Sequence, residues 1–288
     1  MNTHNFKLNH APSKSQPHVD KHNHYVKKHL QMIRRKKQRR LAQNTPPSPD
    51  ELQQSFSLSK FYTLNILNQL SLGSCVVNAF AAIIQSIYGI LPSRLYLYFN
   101  ARVGDKVCPK NDSGLDLLKA RPFLIGYGIV PEKRWPYDVK AYSTLPPYLK
   151  TYKIGNTKPK INMVSVSQKI ASIKHELLQK HFIMFGILLY DSFFTNEAAA
   201  NGIISIPDIA AEKQQGGHCM AIVGWLNLNN ILYFICRNSW GREWGNDGNT
   251  DPPLPFNFVN DKNNGGFCYI PAEYILNKDL VFELFAVW

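Results

Sequence analysis

No stretch of this 288-residue sequence approaches the roughly 18 to 20 apolar residues needed to cross a bilayer, so no membrane-spanning helix is expected. The N-terminus, MNTHNFKLNHAPSK, lacks the apolar core of a secretory signal. The sequence therefore reads as a protein not secreted through a signal peptide, cytoplasmic or virion-associated, with the nucleus as a further destination through its basic N-terminal arm. Cysteine is scarce: Cys75, Cys108, Cys219, Cys236 and Cys268 are odd in number, widely spaced and free of any CxxC pair. Neither a disulfide framework nor a zinc site is indicated, a reducing environment fits best, and no metal or organic cofactor is expected. Acidic residues are nearly missing from residues 1–50, which hold 11 Lys/Arg against 2 Asp/Glu and so carry +9 of the +13 net charge. The other 238 residues carry only +4, so affinity for nucleic acid or another polyanion is expected in the arm and not in the remainder.

What is present is enough for a sizeable core. Hydrophobic residues make up 44% of the chain, which excludes disorder for most of it. Residues 1–54 read as a mobile basic arm or pro-segment that ends in the helix-hostile Thr45-Pro46-Pro47-Ser48-Pro49, and residues 55–288 as one folded domain. Within the arm, Lys27–Arg40 has the spacing of a short basic helix, equally readable as a solvated charge run or as a targeting or nucleic-acid patch. In the domain, Asn78–Ile87, Arg94–Val103, Leu115–Ile125 and Gln168–Gln179 have helical periodicity. Phe182–Tyr190, Met220–Trp225, Ile231–Arg237 and Gly266–Ile270 read as strands. Helices first and strands later predict a two-lobed α+β arrangement.

Three segments carry chemistry. Gln69-Leu70-Ser71-Leu72-Gly73-Ser74-Cys75 runs directly into the first apolar helix. A cysteine at a helix N-terminus meets unpaired N–H groups and the positive end of the dipole, which favour thiolate over thiol. A lone cysteine beside an apolar helix is nevertheless more often an inert core residue. The second segment, Gly216-Gly217-His218-Cys219-Met220-Ala221-Ile222-Val223-Gly224-Trp225, places a histidine at the mouth of a strand, beside glycines that permit close backbone approach. The third, Cys236-Arg237-Asn238-Ser239-Trp240-Gly241-Arg242-Glu243-Trp244-Gly245, ends a strand with an amide side chain beside an indole. Each alone has an ordinary structural explanation, and it is the set that points to a nucleophile, a base and an orienting group.

Taken together, Gln-x4-Ser-Cys before an apolar helix, Gly-His at the head of a strand and Asn-Ser-Trp-Gly-x-x-Trp-Gly resemble the papain family of cysteine proteases, cathepsins included. His218 follows Cys75 by 143 residues, inside the family's window of about 130–150, and Asn238 lies 20 residues further on. The resemblance implies an α+β papain-like fold, a helical left lobe and a β-rich right lobe with a cleft between, and cysteine-type endopeptidase activity on protein or peptide substrates. By position, Cys75 would be the nucleophile, His218 the acid/base and Asn238 its orienter. Gln69 would supply the oxyanion hole, Trp240 would shield the His218–Asn238 bond, and Ser74 and Gly217 would support the site. Ser113-Gly114 stands where the family has the Gly-Gly wall of its main specificity pocket, and Arg134-Trp135-Pro136-Tyr137 and Phe267–Pro271 resemble structural markers, the latter the family's last strand.

The departures are informative. Leu72 stands where many relatives have a disulfide-bonded cysteine, and Val76 where the usual residue is Trp. The Leu-Gly-Ser-Cys-Val-Val-Asn-Ala version resembles a divergent branch found in bacteria and large DNA viruses. No recognisable pro-segment signature occurs in residues 1–54, and Asn249–Asn264 reads as an inserted surface loop. The competing reading is a catalytically silent papain-fold structural or binding protein whose arm, through Lys27–Arg40, holds nucleic acid. The four-residue set argues against it, because a silent scaffold has no physical need for all four. A transferase or amidase using the same triad finds no acceptor site in the sequence.

Overall fold

The computed structural model describes residues 54–145, 161–245 and 265–288. The basic arm with its Lys27–Arg40 segment and the Asn249–Asn264 insertion lie outside the described residues. The first half supplies three helices, α1 (Cys75–Tyr88), α2 (Arg94–Gly104) and α3 (Leu117–Gly126). The second half supplies α4 (Ile170–Leu178) and two short helices, α5 (Asn196–Asn201) and α6 (Ala272–Leu276). Among the described residues seven strands form one sheet: β1 (Ser55–Ser57), β2 (Met163–Ser165), β3 (Phe182–Tyr190), β4 (Gln214–Leu228), β5 (Ile231–Arg237), β6 (Phe267–Pro271) and β7 (Val281–Val287).

The helix ends follow from local chemistry. α2 starts at Ser93, whose side chain accepts from the Tyr96 N–H, and α3 starts at Asp116, which accepts from the Lys119 N–H. α1 stops at Gly89, which takes the left-handed conformation a side chain would resist (φ 69°). α1 is nearly all buried because Val76, Val77, Phe80, Ile83, Ile84 and Ile87 leave little polar face.

The sheet runs β2-β7-β3-β4-β5-β6, with antiparallel pairing throughout. β3 pairs with the first half of β4, from Gln214 to Ile222, and β1 pairs with Gly224–Leu226 beyond it. The chain therefore returns its N-terminal strand into the β-rich lobe before it builds the helices. β3 is an unbroken apolar run because both its faces are covered, by α4 and by the body of the domain. α1 packs against β4, and that contact sets the two lobes together.

Two strand predictions match to the residue, Phe182–Tyr190 and Ile231–Arg237, and a third, Met220–Trp225, is the buried centre of a much longer strand. The outer parts of β4 are polar and fall outside the apolar run that marks the strand in the sequence. Phe267–Pro271 forms a strand but is not the last: α6 turns the chain back and β7 inserts between β2 and β3. β7 bulges against β3 at the left-handed Glu283 (φ 59°), where Phe282 and Phe285 pair with Gly186 and Met184, and its residues show no clean alternation.

Gly224 shows how tightly β1 is held, since a Cβ there would lie 2.2 Å from the Phe56 carbonyl oxygen. Neither the main chain of β1 nor that of β4 can yield without losing its pairing, so Gly224→Ala is expected to destabilise the domain by about 1–3 kcal/mol. Urea unfolding monitored by Trp fluorescence checks this, and an unchanged midpoint would contradict the packing described.

Candidate active site

Cys75 is the first residue of α1, and the local sequence leaves its end of the helix open. Ser74 occupies the N-cap position but makes no capping hydrogen bond. Its hydroxyl instead lies 2.6 Å from Tyr137 Oη and accepts from Asn78 Nδ2 at 2.9 Å. The first-turn N–H groups therefore remain for the thiol: the backbone N–H groups of Cys75, Val76 and Cys219 all act to lower the Cys75 pKa. The Cys219 amide is the one next to His218, so the start of α1 and the head of β4 meet at the thiol.

His218 lies on β4 opposite Ile187 of β3, and Asn238 follows the last residue of β5. Because β4 and β5 pair with Ala221 opposite Arg237, the two side chains come together across neighbouring strands. Asn238 Oδ1 accepts from the Ser239 N–H at 2.8 Å and sits 2.7 Å from His218 Nε2. The first bond identifies Oδ1 as an acceptor, so Nε2 must carry the proton and Nδ1 of the neutral ring holds the lone pair. Trp240 covers the pair, its ring centroid 5.0 Å from that of His218. Behind Trp240 lie Phe193 and Trp244 at 5.7 and 5.0 Å, and Phe194 packs at 5.5 Å.

Gln69 is fixed from three sides. Its Oε1 accepts from Ser239 Oγ at 2.7 Å, one Nε2 hydrogen goes to the Leu72 carbonyl at 3.1 Å, and its backbone N–H donates to the Ser239 carbonyl at 2.8 Å. One Nε2 hydrogen remains. Beneath this loop, Arg94 donates to Asn78 Oδ1 at 3.0 Å and to the Asn68 carbonyl at 3.1 Å. It also pairs with Glu132 at 2.6 Å and lies 3.7 Å from the centroid of the Tyr137 ring.

Cys75, His218, Asn238, Gln69 and Trp240 therefore lie together, with Ser74 at the start of α1. Gly114 lies against the Gly73 carbonyl, which brings Ser113-Gly114 beside the nucleophile loop. Gly216 and Gly217 differ from expectation, because a Cβ on either would meet nothing within 4 Å. Both pair with β3, opposite Leu189 and Leu188, so they are part of the ladder, and the space that a side chain would fill at each is open. Arg94, Asn78, Ser239 and Asp112 carry the site's supporting bonds without having been identified beforehand. The available signal was a polar residue in an otherwise apolar helix, as at Asn78.

The electrostatics temper the expectation that the helix N-terminus favours a thiolate at Cys75. Burial is the largest influence on both groups, pushing the Cys75 thiol up and His218 down to about 4. The three backbone N–H groups act against the first shift and the Asn238 bond against the second. Asp112 adds a smaller upward push on the thiol. Burial thus acts toward the neutral forms of both groups, and the N–H groups supply the opposing field.

The papain family cysteine protease model matches residues 53–251. An uncharacterized peptidase C1-like protein of Acanthamoeba polyphaga mimivirus is 30% identical over 237 residues, covering 76% of this chain and 74% of that one. Xylellain, a cysteine protease from Xylella fastidiosa, superposes with a TM-score of 0.67 at 25% identity, covering 85% of this chain and 90% of its own. A digestive procathepsin L 3 of Tenebrio molitor larval midgut shares the fold alone, at TM-score 0.55 and 16% identity over 94% of each chain. A virus and a bacterium thus both appear among the relatives, as the divergent nucleophile segment implies. With the Cys, His and Asn segments assembled at one helix–sheet junction, the chain belongs to the papain family of cysteine proteases.

Proposed function

We propose that the protein is an endopeptidase that cleaves unfolded or loop segments of proteins through a thioester acyl-enzyme. The observation that carries this reading is the 2.7 Å His218–Asn238 bond beside an amide directed at the Cys75 thiol. Three segments distant in sequence have no structural reason to meet there with these side chains.

In the first step the Cys75 proton passes to His218 Nδ1 and Sγ attacks the peptide carbonyl carbon, forming the C–S bond. The carbonyl oxygen, now an oxyanion, accepts from the remaining Gln69 Nε2–H and from the Cys75 backbone N–H. On collapse the C–N bond breaks and His218 returns its proton to the leaving amine. Water, deprotonated by the same nitrogen, attacks the thioester, and the carboxylic acid leaves as the Cys75 thiol is regained. Asn238 keeps Nε2 protonated throughout, so that Nδ1 remains the nitrogen that exchanges protons, and Trp240 keeps water from that bond. The open space at Gly216 and Gly217 suits an extended peptide main chain that approaches closely.

Hydrolysis of denatured casein and of internally quenched peptides tests the reading. Cys75→Ala is expected to abolish turnover, His218→Ala nearly so, and Gln69→Ala to lower kcat about 10²–10³-fold. Internal cleavage products identify endopeptidase action, release of terminal residues alone would contradict it, and turnover that persists in Cys75→Ala would overturn the mechanism.

The histidine can be followed on its own in Cys75→Ala by NMR titration. Its folded-state pKa should lie near 4, below the unfolded value of about 6.5. The unfolded chain then binds the extra proton first, so the His218 contribution to stability is complete above about pH 6.5 and declines as the pH falls toward 4. Titration at or above 6.5 would mean that the imidazole is wet and the Trp240 cover is not in place.

A further inference from the structure

The nucleophile loop, Gln69–Ser74, is held on its inner side by Ser239 and Arg94, but a second hold is needed to fix where Cys75 stands relative to the Ser113-Gly114 wall. A covalent tie is not available: position 72 is Leu, and all five cysteines are free. From the geometry on its outer side we infer that Asp112 is a positioning residue, a carboxylate clasp that locks the nucleophile loop to the substrate-binding wall in place of a covalent cross-link. The inference rests on the proposed peptidase reading.

Four observations carry it. The Gly73 N–H, two residues before the nucleophile, donates to both Asp112 carboxylate oxygens, at 3.1 Å to Oδ1 and 3.0 Å to Oδ2. The contact is close, since a Cβ on Gly73 would lie 3.1 Å from Asp112 Oδ1 and 3.4 Å from the Gly114 main chain. Tyr98 of α2 donates its hydroxyl to Asp112 Oδ1 and accepts from the Gly114 N–H at 3.2 Å, so one phenol oxygen binds the carboxylate and the wall together. The loop that carries Asp112 is itself pinned from below by Arg102, fully buried in α2. Arg102 donates to the carbonyls of Pro109 at 2.9 Å, Asn111 at 2.6 Å and Tyr142 at 2.8 Å, with its guanidinium 4.0 Å from the Tyr98 ring centroid.

The path from α2 to the thiol is therefore continuous: Arg102 fixes the 109–111 carbonyls, Asp112 projects from that fixed loop, and its two oxygens hold Gly73. Charge-assisted bonds are the stronger class, and the single Gly73 N–H is shared between both carboxylate oxygens, which centres it on the carboxylate. Asp112 faces solvent on its outer side, which tempers the strength of each bond. The loop is nonetheless short enough that a shift of about 1 Å in Gly73 would carry directly into Cys75, and misplacements of that size cost up to about 10²-fold in rate. Asp112 performs none of the chemistry, and its negative charge in fact pushes the thiol up. Its value to the reaction lies in placement.

The test compares wild type, Asp112→Asn, Asp112→Ala, Tyr98→Phe and the double variant Asp112→Ala/Tyr98→Phe on one quenched peptide. Thermal unfolding of each is measured alongside, with assays run well below every midpoint. The expected order of kcat/KM is wild type, then Asn, which keeps one acceptor, then Ala, lowered about tenfold. The double variant should be no worse than the poorer single, because both substitutions open one clasp. In parallel, the pH profile of Cys75 alkylation by iodoacetamide, a reagent too small to need the wall, should move to lower pH in both Asp112 variants while the plateau rate is kept. A purely structural aspartate would lower the unfolding midpoint and leave kcat/KM of the folded protein intact, so an Ala variant within twofold of wild type overturns the clasp. Full additivity in the double variant overturns it as well. An inactive wild type would instead remove the peptidase reading itself, which keeps the two failures distinct.

Discussion

The contact between the N-terminus of α1 and the head of β4 is the constraint on which the rest of the molecule depends. It joins residues more than 140 positions apart, so it forms only once the sheet and the helical layer are both in place. β1 and β7 belong to the same solution. Each takes the chain from one end of the domain into the β-rich lobe, and between them they hold β4 and β3 in the register that places His218 beside Asn238. The apolar content of α1, β3 and the middle of β4 supplies the driving force, while the polar residues at their ends supply the specificity.

Much of this was legible in the sequence, for a physical reason. Buried strands such as Phe182–Tyr190 are apolar on both faces, and α1 is apolar nearly all round, so burial writes itself into the pattern. The candidate site was legible because the segments of Cys75, His218 and Asn238 each sit where an apolar element meets a glycine or a polar turn. What was hidden depends on partners far away in the chain. The β7 strand bulges at a left-handed Glu283 and shows no clean alternation, and the polar ends of β4 fall outside its apolar run because their partners are main-chain groups and not apolar side chains. The supporting bonds of the site were hidden for the same reason. Nothing around Ser239 announces that its hydroxyl will orient Gln69, and nothing around Asp112 announces that it will bind Gly73.

Burial and reactivity pull in opposite directions here. Removing water from the site opposes both charges of the reactive pair, yet it strengthens every dipole aimed at the developing thiolate and oxyanion. Backbone N–H groups from Cys75, Val76 and Cys219 do not move and cannot be neutralised, so they provide a field that is already set when the substrate arrives. Leu72 offers no cross-link and all five thiols are free, so the nucleophile loop is tied by hydrogen bonds alone.

Labelling with an epoxide-type active-site cysteine reagent under reducing conditions, followed by peptide mapping, tests the central claim most directly. Four other thiols are present as internal controls, of which Cys219, Cys236 and Cys268 are buried and Cys108 is exposed. The account predicts stoichiometric modification confined to Cys75, lost in His218→Ala. Modification of Cys108 in preference to Cys75, or no modification of the folded protein at all, would contradict it.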